Sequence, residues 1–186
     1  LDKGTSGLMI VAKNDYIHSK LAKMFERHTI KKFYRLIVYS VPVPLAATIE
    51  TLYGRDPKNR KKFTSKVRTG KNAITIYKTL ESFGRSASYV EAQIITGRTH
   101  QIRVHFSEMG CPIIGDDFYS NKKRSKIFEN DELRNKIMNL THPLLHSYRM
   151  EFTHPLKQKW MVFCVEPPDE FNIILSMLRN IYESKK

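Results

Sequence analysis

Apolar and polar positions along this chain fall into blocks, some with the two-residue period of a strand and others with the three-to-four-residue spacing of a helix. Leu8-Met9-Ile10-Val11-Ala12 is an apolar run of strand length. After it, Asn14 is placed to cap a helix whose inner stripe is Ile17, Leu21, Met24 and Phe25. Phe33 to Tyr39 and Ala47 to Leu52 are rich in β-branched and aromatic residues and predict two strands, with Pro42 and Pro44 marking the turn between them. The basic stretch Gly54 to Lys62 has no periodicity that would bury a face and predicts an exposed loop. Ala73 to Glu81 and Ser88 to Ile95 alternate as a pair of antiparallel strands around Gly84.

The second half continues the pattern. Thr99 is placed to cap a helix with Ile102, Phe106 and Met109 inside, Gly110 as its stop and Pro112 beyond, which puts Arg103 on the outer side at the open end of a groove. Residues 121–140 are polar and basic and predict an insertion with a short helix on Leu133, Ile137 and Leu140. Leu144 to Phe152 and Lys159 to Val165 predict closing strands, with Trp160, Met161 and Phe163 in the core. Pro168 opens a last helix bearing Phe171, Ile174, Leu175 and Leu178. Strands interleaved with a few helices through short turns give an α+β class: a mixed, mostly antiparallel central sheet with flanking helices, read as one domain over 1–186.

Composition narrows the classes of partner. With 41% apolar and 11% aromatic residues, 186 residues suffice for one well-filled core. Thirty-two Lys and Arg against 18 Asp and Glu leave a net charge of +14, which favours a polyanion bound through phosphate contacts and counterion release. No basic amphipathic helix with a bulky apolar face suggests a membrane surface, and no apolar run reaches the roughly 18 residues of a membrane span. Cys111 and Cys164 lack zinc-site spacing and read as reduced thiols of a cytoplasmic protein. The chain begins at Leu1, without an initiator Met and inside a motif, so it reads as an N-terminally incomplete part of a longer protein.

Two segments carry candidate chemistry. Leu1-Asp2-Lys3-Gly4-Thr5-Ser6-Gly7 places an acid on a small-residue turn, which on its own fits an Asx-type turn as well as a reactive carboxylate. Gly97-Arg98-Thr99-His100-Gln101-Ile102-Arg103-Val104-His105 opens a helix with cations and fits a phosphate-binding helix start as well as a catalytic wall. Taken together they suggest an acid held ionised by a guanidinium, because Arg grips a carboxylate through two hydrogen bonds and stays charged in a dry pocket. His100, His105 and Cys111 do not make a metal site, since an i, i+5 pair points to different sides of a helix. Gly70-Lys71 lacks the rest of a phosphate loop, and no Gly-x-Ser-x-Gly elbow is present.

The same residues resemble a known family. Leu1-Asp2-x-x-Thr5-Ser6-Gly7, Val11-Ala12-Lys13, Lys32-x-Tyr34, the Gly97 to His105 motif and Pro112-Ile113-x-Gly115-Asp116-x-x-Tyr119 are similar to the RluA-type pseudouridine synthases, in family order. The likeness runs on through Leu145-His146 and Thr153-His154-Pro155 to Pro167. Gly54-Arg55-Asp56-Pro57 with Arg60, then Gly70-Lys71-x-Ala73-x-Thr75, resembles the branch that modifies large-subunit ribosomal RNA.

The resemblance implies isomerisation of uridine to pseudouridine in a flipped-out base, with no cofactor and no metal, by a monomer acting on ribosomal RNA. It carries Asp2 over as the catalytic carboxylate, Arg103 as its basic partner and Tyr34 as the active-site tyrosine that stacks on uracil and assists proton removal from C5. Arg98, His100, Gln101, Thr5, Lys32, Arg55 and Arg60 are the expected substrate and RNA contacts. The competing reading is a non-catalytic RNA-binding module of the same fold. A DNA-binding reading has only the net charge behind it.

Overall fold

The computed structural model describes residues 1–183. The elements in chain order are β1 (Ser6–Gly7), α1 (Asp15–Glu26), β2 (Lys31–Tyr39), β3 (Ala46–Arg55), β4 (Phe63–Thr64), β5 (Lys71–Phe83), β6 (Ala87–Ile94), α2 (Gln101–Glu108), α3 (Asp131–Asn139), β7 (Leu145–Thr153), β8 (Trp160–Cys164) and α4 (Asp169–Glu183). A short 3₁₀ helix at Lys122–Ile127 precedes α3. The strands form an eight-stranded sheet in the order β1-β7-β2-β6-β5-β3-β4, with β8 also on β7. β1 runs parallel to β7 and the remaining pairs are antiparallel, the mixed, mostly antiparallel sheet that the strand pattern predicts.

β2 lies between β7 and β6, and both of its faces are covered, which is why it reads as a nearly unbroken apolar run. Its alternate side chains feed two cores. Ile37 and Tyr39 pack with α3 and α4 through Leu133, Ile137, Phe171, Ile174, Leu175 and Leu178. Leu36 and Val38 pack on the other face with Ile102 and Phe106 of α2, Tyr77 and Val90. A third cluster joins Leu21 of α1 to Ile30, Met150 and Phe152. Asn14 caps α1 as expected, its Oδ1 accepting from the Ile17 N–H at 3.0 Å.

Four expectations are corrected. The Leu8–Ala12 run is not a strand: pairing stops at Gly7, and the run continues extended with Leu8, Ile10 and Ala12 on the α1 cluster and Met9 and Val11 exposed. Inward–outward alternation is satisfied by packing alone, without a ladder. Thr99 does not cap α2; the N-cap is His100, in a left-handed conformation (φ 59°) with no side-chain cap bond. Arg103 is not on an outer side, since it is 7% exposed and points into the molecule. Finally, β8 is an open edge: Trp160 is 52% and Phe163 42% exposed, with only Met161 of the three half-buried.

The Leu1–Gly7 turn is set down on the sheet by backbone as well as side chains. Ser6 and Gly7 register with His146 and Ser147, and Gly7 has φ 107° with the Ser147 carbonyl only 2.2 Å from where a Cβ would sit, so only glycine fits. Ser6 Oγ lies 2.8 Å from His146 Nδ1, whose Nε2 lies 3.0 Å from the Val165 carbonyl. A carbonyl only accepts, so Nε2 carries the proton and Ser6 donates to Nδ1. The turn is thus tied to β7 at two points within two residues of each other.

Candidate active site

The turn delivers Asp2 to the N-terminal end of α2. The Asp2 side chain is 23% exposed, its Oδ2 is 3.9 Å from Arg103 Nη1, and its Oδ1 is 3.5 Å from the His100 N–H. A carboxylate here faces both a guanidinium and the positive end of a helix. The two-point grip expected between Arg103 and Asp2 goes elsewhere. Arg103 donates from Nε to Asp116 Oδ2 at 2.7 Å and from Nη2 to Asp116 Oδ1 at 2.9 Å, leaving Nη1 for Asp2. Asp116, 2% exposed, also accepts the N–H groups of Phe118 and Tyr119. Burial works against the Arg103 charge, but the hydrogen bonds and charge of Asp116, helped by Asp2, outweigh it and push its pKa up.

Asp2 opens on a cavity of about 350 Å³ lined by Thr5, Phe25, Lys32, Tyr34, Arg98 and Gln101, with Ile94, Ile102 and Leu145 as an apolar floor. Tyr34 sits opposite Ser147 in the β2–β7 ladder. Burial pushes its phenol up to about 12, opposed by hydrogen bonding to Ser147 and reinforced by Asp2, so the ring presents a neutral hydroxyl at physiological pH. Lys32 is 8% exposed, and burial lowers its pKa. Its ammonium rests over the Phe25 ring at 5.4 Å and has no ion pair among the described residues. The Thr5 hydroxyl is likewise buried without a hydrogen-bond partner among the described residues. Both are placed to receive a polar ligand.

A wider cleft of about 710 Å³ adjoins on the far side of the turn, sharing Thr5 and lined by Lys3, Ser6, His100, Arg103, Phe118 and His142. His100 has edge contacts with Phe63, Phe118 and Tyr119. The Tyr119 oxygen accepts from the Phe63 N–H at 3.2 Å, so its proton is free to go to His100 Nδ1 at 2.9 Å, leaving the hydrogen on Nε2. Burial and then Arg103 lower the His100 pKa, which keeps the imidazole neutral near pH 7. Arg55 stands over Phe63 at 4.4 Å, donates to the Arg60 carbonyl and is near enough to His100 to contribute to that shift. Arg60 is exposed, and neither arginine lines the two cavities.

Gln101 lines the smaller cavity, yet its amide is engaged by protein on every side. Oε1 accepts from Thr96 Oγ1 and the Arg98 N–H, and Nε2 donates to the Ile74 carbonyl and Thr75 Oγ1. Thr75, having accepted from Gln101, donates to His105 Nδ1, and His105 Nε2 then donates to Thr51. This buried chain bolts α2 to β5 and β3. It also explains His105: burial lowers its pKa to about 4, and both ring nitrogens are occupied by threonine hydroxyls. Among the described residues no group of three His, Cys, Asp or Glu side chains is placed to hold a metal ion.

Comparison with known proteins settles the family. The model of the family described as RNA pseudouridylate synthase matches residues 1–108, more than half of the chain. The chain belongs to the RNA pseudouridylate synthases. It is 36% identical over 195 residues to RNA pseudouridine synthase 2, chloroplastic, of Oryza sativa subsp. japonica, covering 97% of this chain and 44% of that protein. It is 39% identical over 180 residues to ribosomal large subunit pseudouridine synthase D of Neisseria meningitidis, covering 96% of this chain and 47% of that one. The chain therefore spans less than half the length of these two relatives. The solved structure of human RNA Pseudouridylate Synthase Domain Containing 4 superposes with a TM-score of 0.75 at 27% identity, over 96% of this chain and 74% of that one.

For a member of this family the structure brings Asp2, Thr5, Lys32, Tyr34, Arg98 and Gln101 around one cavity, with Arg103 and His100 behind Asp2. Asp116, Tyr119 and Ser147 were given no role by the sequence. Asp116 stands one glycine beyond the apolar run Cys111–Ile114, where a buried acid needs a cation, but the sequence does not say which one. Ser147 left no signal, since its partner lies across the sheet. Among the described residues no helix is long and apolar enough to cross a membrane.

Proposed function

We propose that this chain carries the catalytic site of an RNA pseudouridine synthase, an intramolecular isomerase that converts uridine to pseudouridine in large-subunit ribosomal RNA. The observation that carries the reading is that Asp2 and Tyr34 face one base-sized cavity while Arg103, fixed by Asp116, stands behind the acid. A family match over residues 1–108 and a relative named for the large ribosomal subunit support the reaction and the substrate.

The reaction breaks the bond from uracil N1 to C1′, turns the base, joins C5 to C1′, and moves the C5 proton away while N1 gains one. A base inside a helix cannot do this, so the target uridine enters the cavity flipped out. Its ring lies on the apolar floor against Tyr34. Asp2 supplies the carboxylate that acts on the nucleotide, and Arg103 with the α2 N-terminus stabilises its charge. Tyr34, held as a neutral phenol, donates its proton in a hydrogen bond and does not serve as a standing phenolate base. The Lys32 ammonium and the Thr5 hydroxyl meet oxygens of the flipped nucleotide.

Replacing Asp2→Asn keeps the shape of the site and removes the charge. Purified wild-type protein is expected to form pseudouridine in large-subunit ribosomal RNA, and Asp2→Asn to lose conversion by at least about 10⁴-fold while still binding RNA. Conversion retained by Asp2→Asn would remove Asp2 from the mechanism, and no conversion by the wild-type protein would leave the fold as an RNA-binding module.

A further inference from the structure

A basic groove outside the candidate active site points to a second contact with RNA. Lys20, Lys23 and Arg27 follow one another on the same face of α1 and its C-cap, at the i, i+3, i+7 spacing that stacks side chains along a helix. Together with Thr29, Thr153 and Gln158 they line a concave groove of about 450 Å³ between α1 and the β7–β8 turn. No carboxylate lines it, and among the described residues none of the three cations is in an ion pair. Lysine and arginine at a helix C-terminus favour the helix dipole, which accounts for Lys23 and Arg27. Lys20, one turn earlier, rests over the Tyr16 ring at 4.9 Å, and Thr29 Oγ1 donates to the Met24 carbonyl, but neither contact neutralises a charge or fills the concave groove.

α1 also reaches the candidate active site. Phe25, between groove residues Met24 and Arg27, lines the Asp2 cavity under the Lys32 ammonium. The last turn of α1 is therefore a partition, with the reacting cavity on one flank and the groove on the other. We propose that the groove holds the phosphate backbone of the same RNA whose uridine occupies the Asp2 cavity, about one helix diameter, or roughly 10 Å, from the reacting base. The proposal rests on the synthase reading, but its consequence is read from binding alone.

The test compares wild-type protein with Lys20→Gln/Lys23→Gln/Arg27→Gln, using a fluorescein-labelled oligouridylate of about 30 nucleotides over a salt series. Three lost phosphate contacts are expected to weaken binding at least about tenfold at low salt. They should also make the slope of log K against log salt shallower by about two, at roughly 0.7 per contact on single strands. Lys20→Arg/Lys23→Arg should bind like wild type, which separates charge from folding. A control set at exposed positions of the 3₁₀ helix and α3, outside the groove lining, Lys123→Gln/Lys126→Gln/Lys136→Gln, should change the slope by less than half as much.

An unchanged slope in the α1 variant, or an equal change in the control set, overturns the proposal. So does loss of binding to phosphatidylserine vesicles with RNA binding intact, which would make the groove a membrane contact. Because Asp2→Asn reports conversion and this series reports affinity, either reading can fail while the other stands.

Discussion

One guanidinium serves two acids. Arg103 spends Nε and Nη2 on Asp116 and has Nη1 left at 3.9 Å from Asp2. Asp116 is the more buried of the two carboxylates and makes the tighter contact, so it orients Arg103, and Arg103 in turn faces Asp2. Removing one member of a buried, hydrogen-bonded pair leaves an uncompensated charge and costs about 3–5 kcal/mol. Asp116→Ala is therefore expected to lower the urea midpoint markedly and, in whatever fraction remains folded, to cut kcat more than KM. A variant with wild-type stability and turnover would remove the orienting role.

At this scale the sequence is a good guide to the residues that face the ligand and a poor one to those that hold them. Asp2, Lys32 and Tyr34 stand in local motifs. Asp116 acts through a side chain 13 positions away, and nothing in its immediate neighbours specifies that partner.

Among the elements, α2 is the part most firmly built in. The chain of bonds from Thr96 through Gln101, Thr75 and His105 to Thr51 crosses from the helix to two strands with every polar atom matched. His105 gives this network a measurable pH dependence. Its folded pKa of about 4 lies below the ordinary imidazole value of about 6.5, so the unfolded chain binds the proton more readily and stability falls with acidification. The contribution is complete above about pH 6.5 and is lost as pH drops through 4, roughly 3 kcal/mol in all. His100 and His146 shift in the same direction. Urea midpoints measured between pH 7 and 4 should fall steeply, and His105→Gln should flatten part of that fall; a parallel decline in both proteins would contradict the assignment.

The strand and helix pattern located most elements, because buried faces impose a period on the sequence. It failed where the physical cause of the pattern is shared. Leu8 to Ala12 alternates since one side packs on α1, as it would in a sheet. β8 has the composition of a core strand, yet it lies at an edge.

For the molecule as a whole, the order of the strands was beyond local reading. β1 beside β7 and β7 beside β2 join residues far apart in the chain, and those two pairings bring Asp2 to Tyr34 through Ser147. The net charge of +14 was legible, and its consequence belongs to this scale. Binding to RNA is expected to weaken by at least about tenfold between 50 and 200 mM salt, since several phosphate contacts release counterions together. Fluorescence titrations across that range check it, and salt-independent affinity would place recognition in uncharged contacts.

The two hydrogen bonds that Arg103 donates to Asp116, and the hydrogen-bond chain that secures α2, hold the guanidinium in place. Any shortening of the 3.9 Å separation from Asp2 would therefore have to come from the few residues ahead of the Ser6–Gly7 anchorage on β7, and not from the arginine.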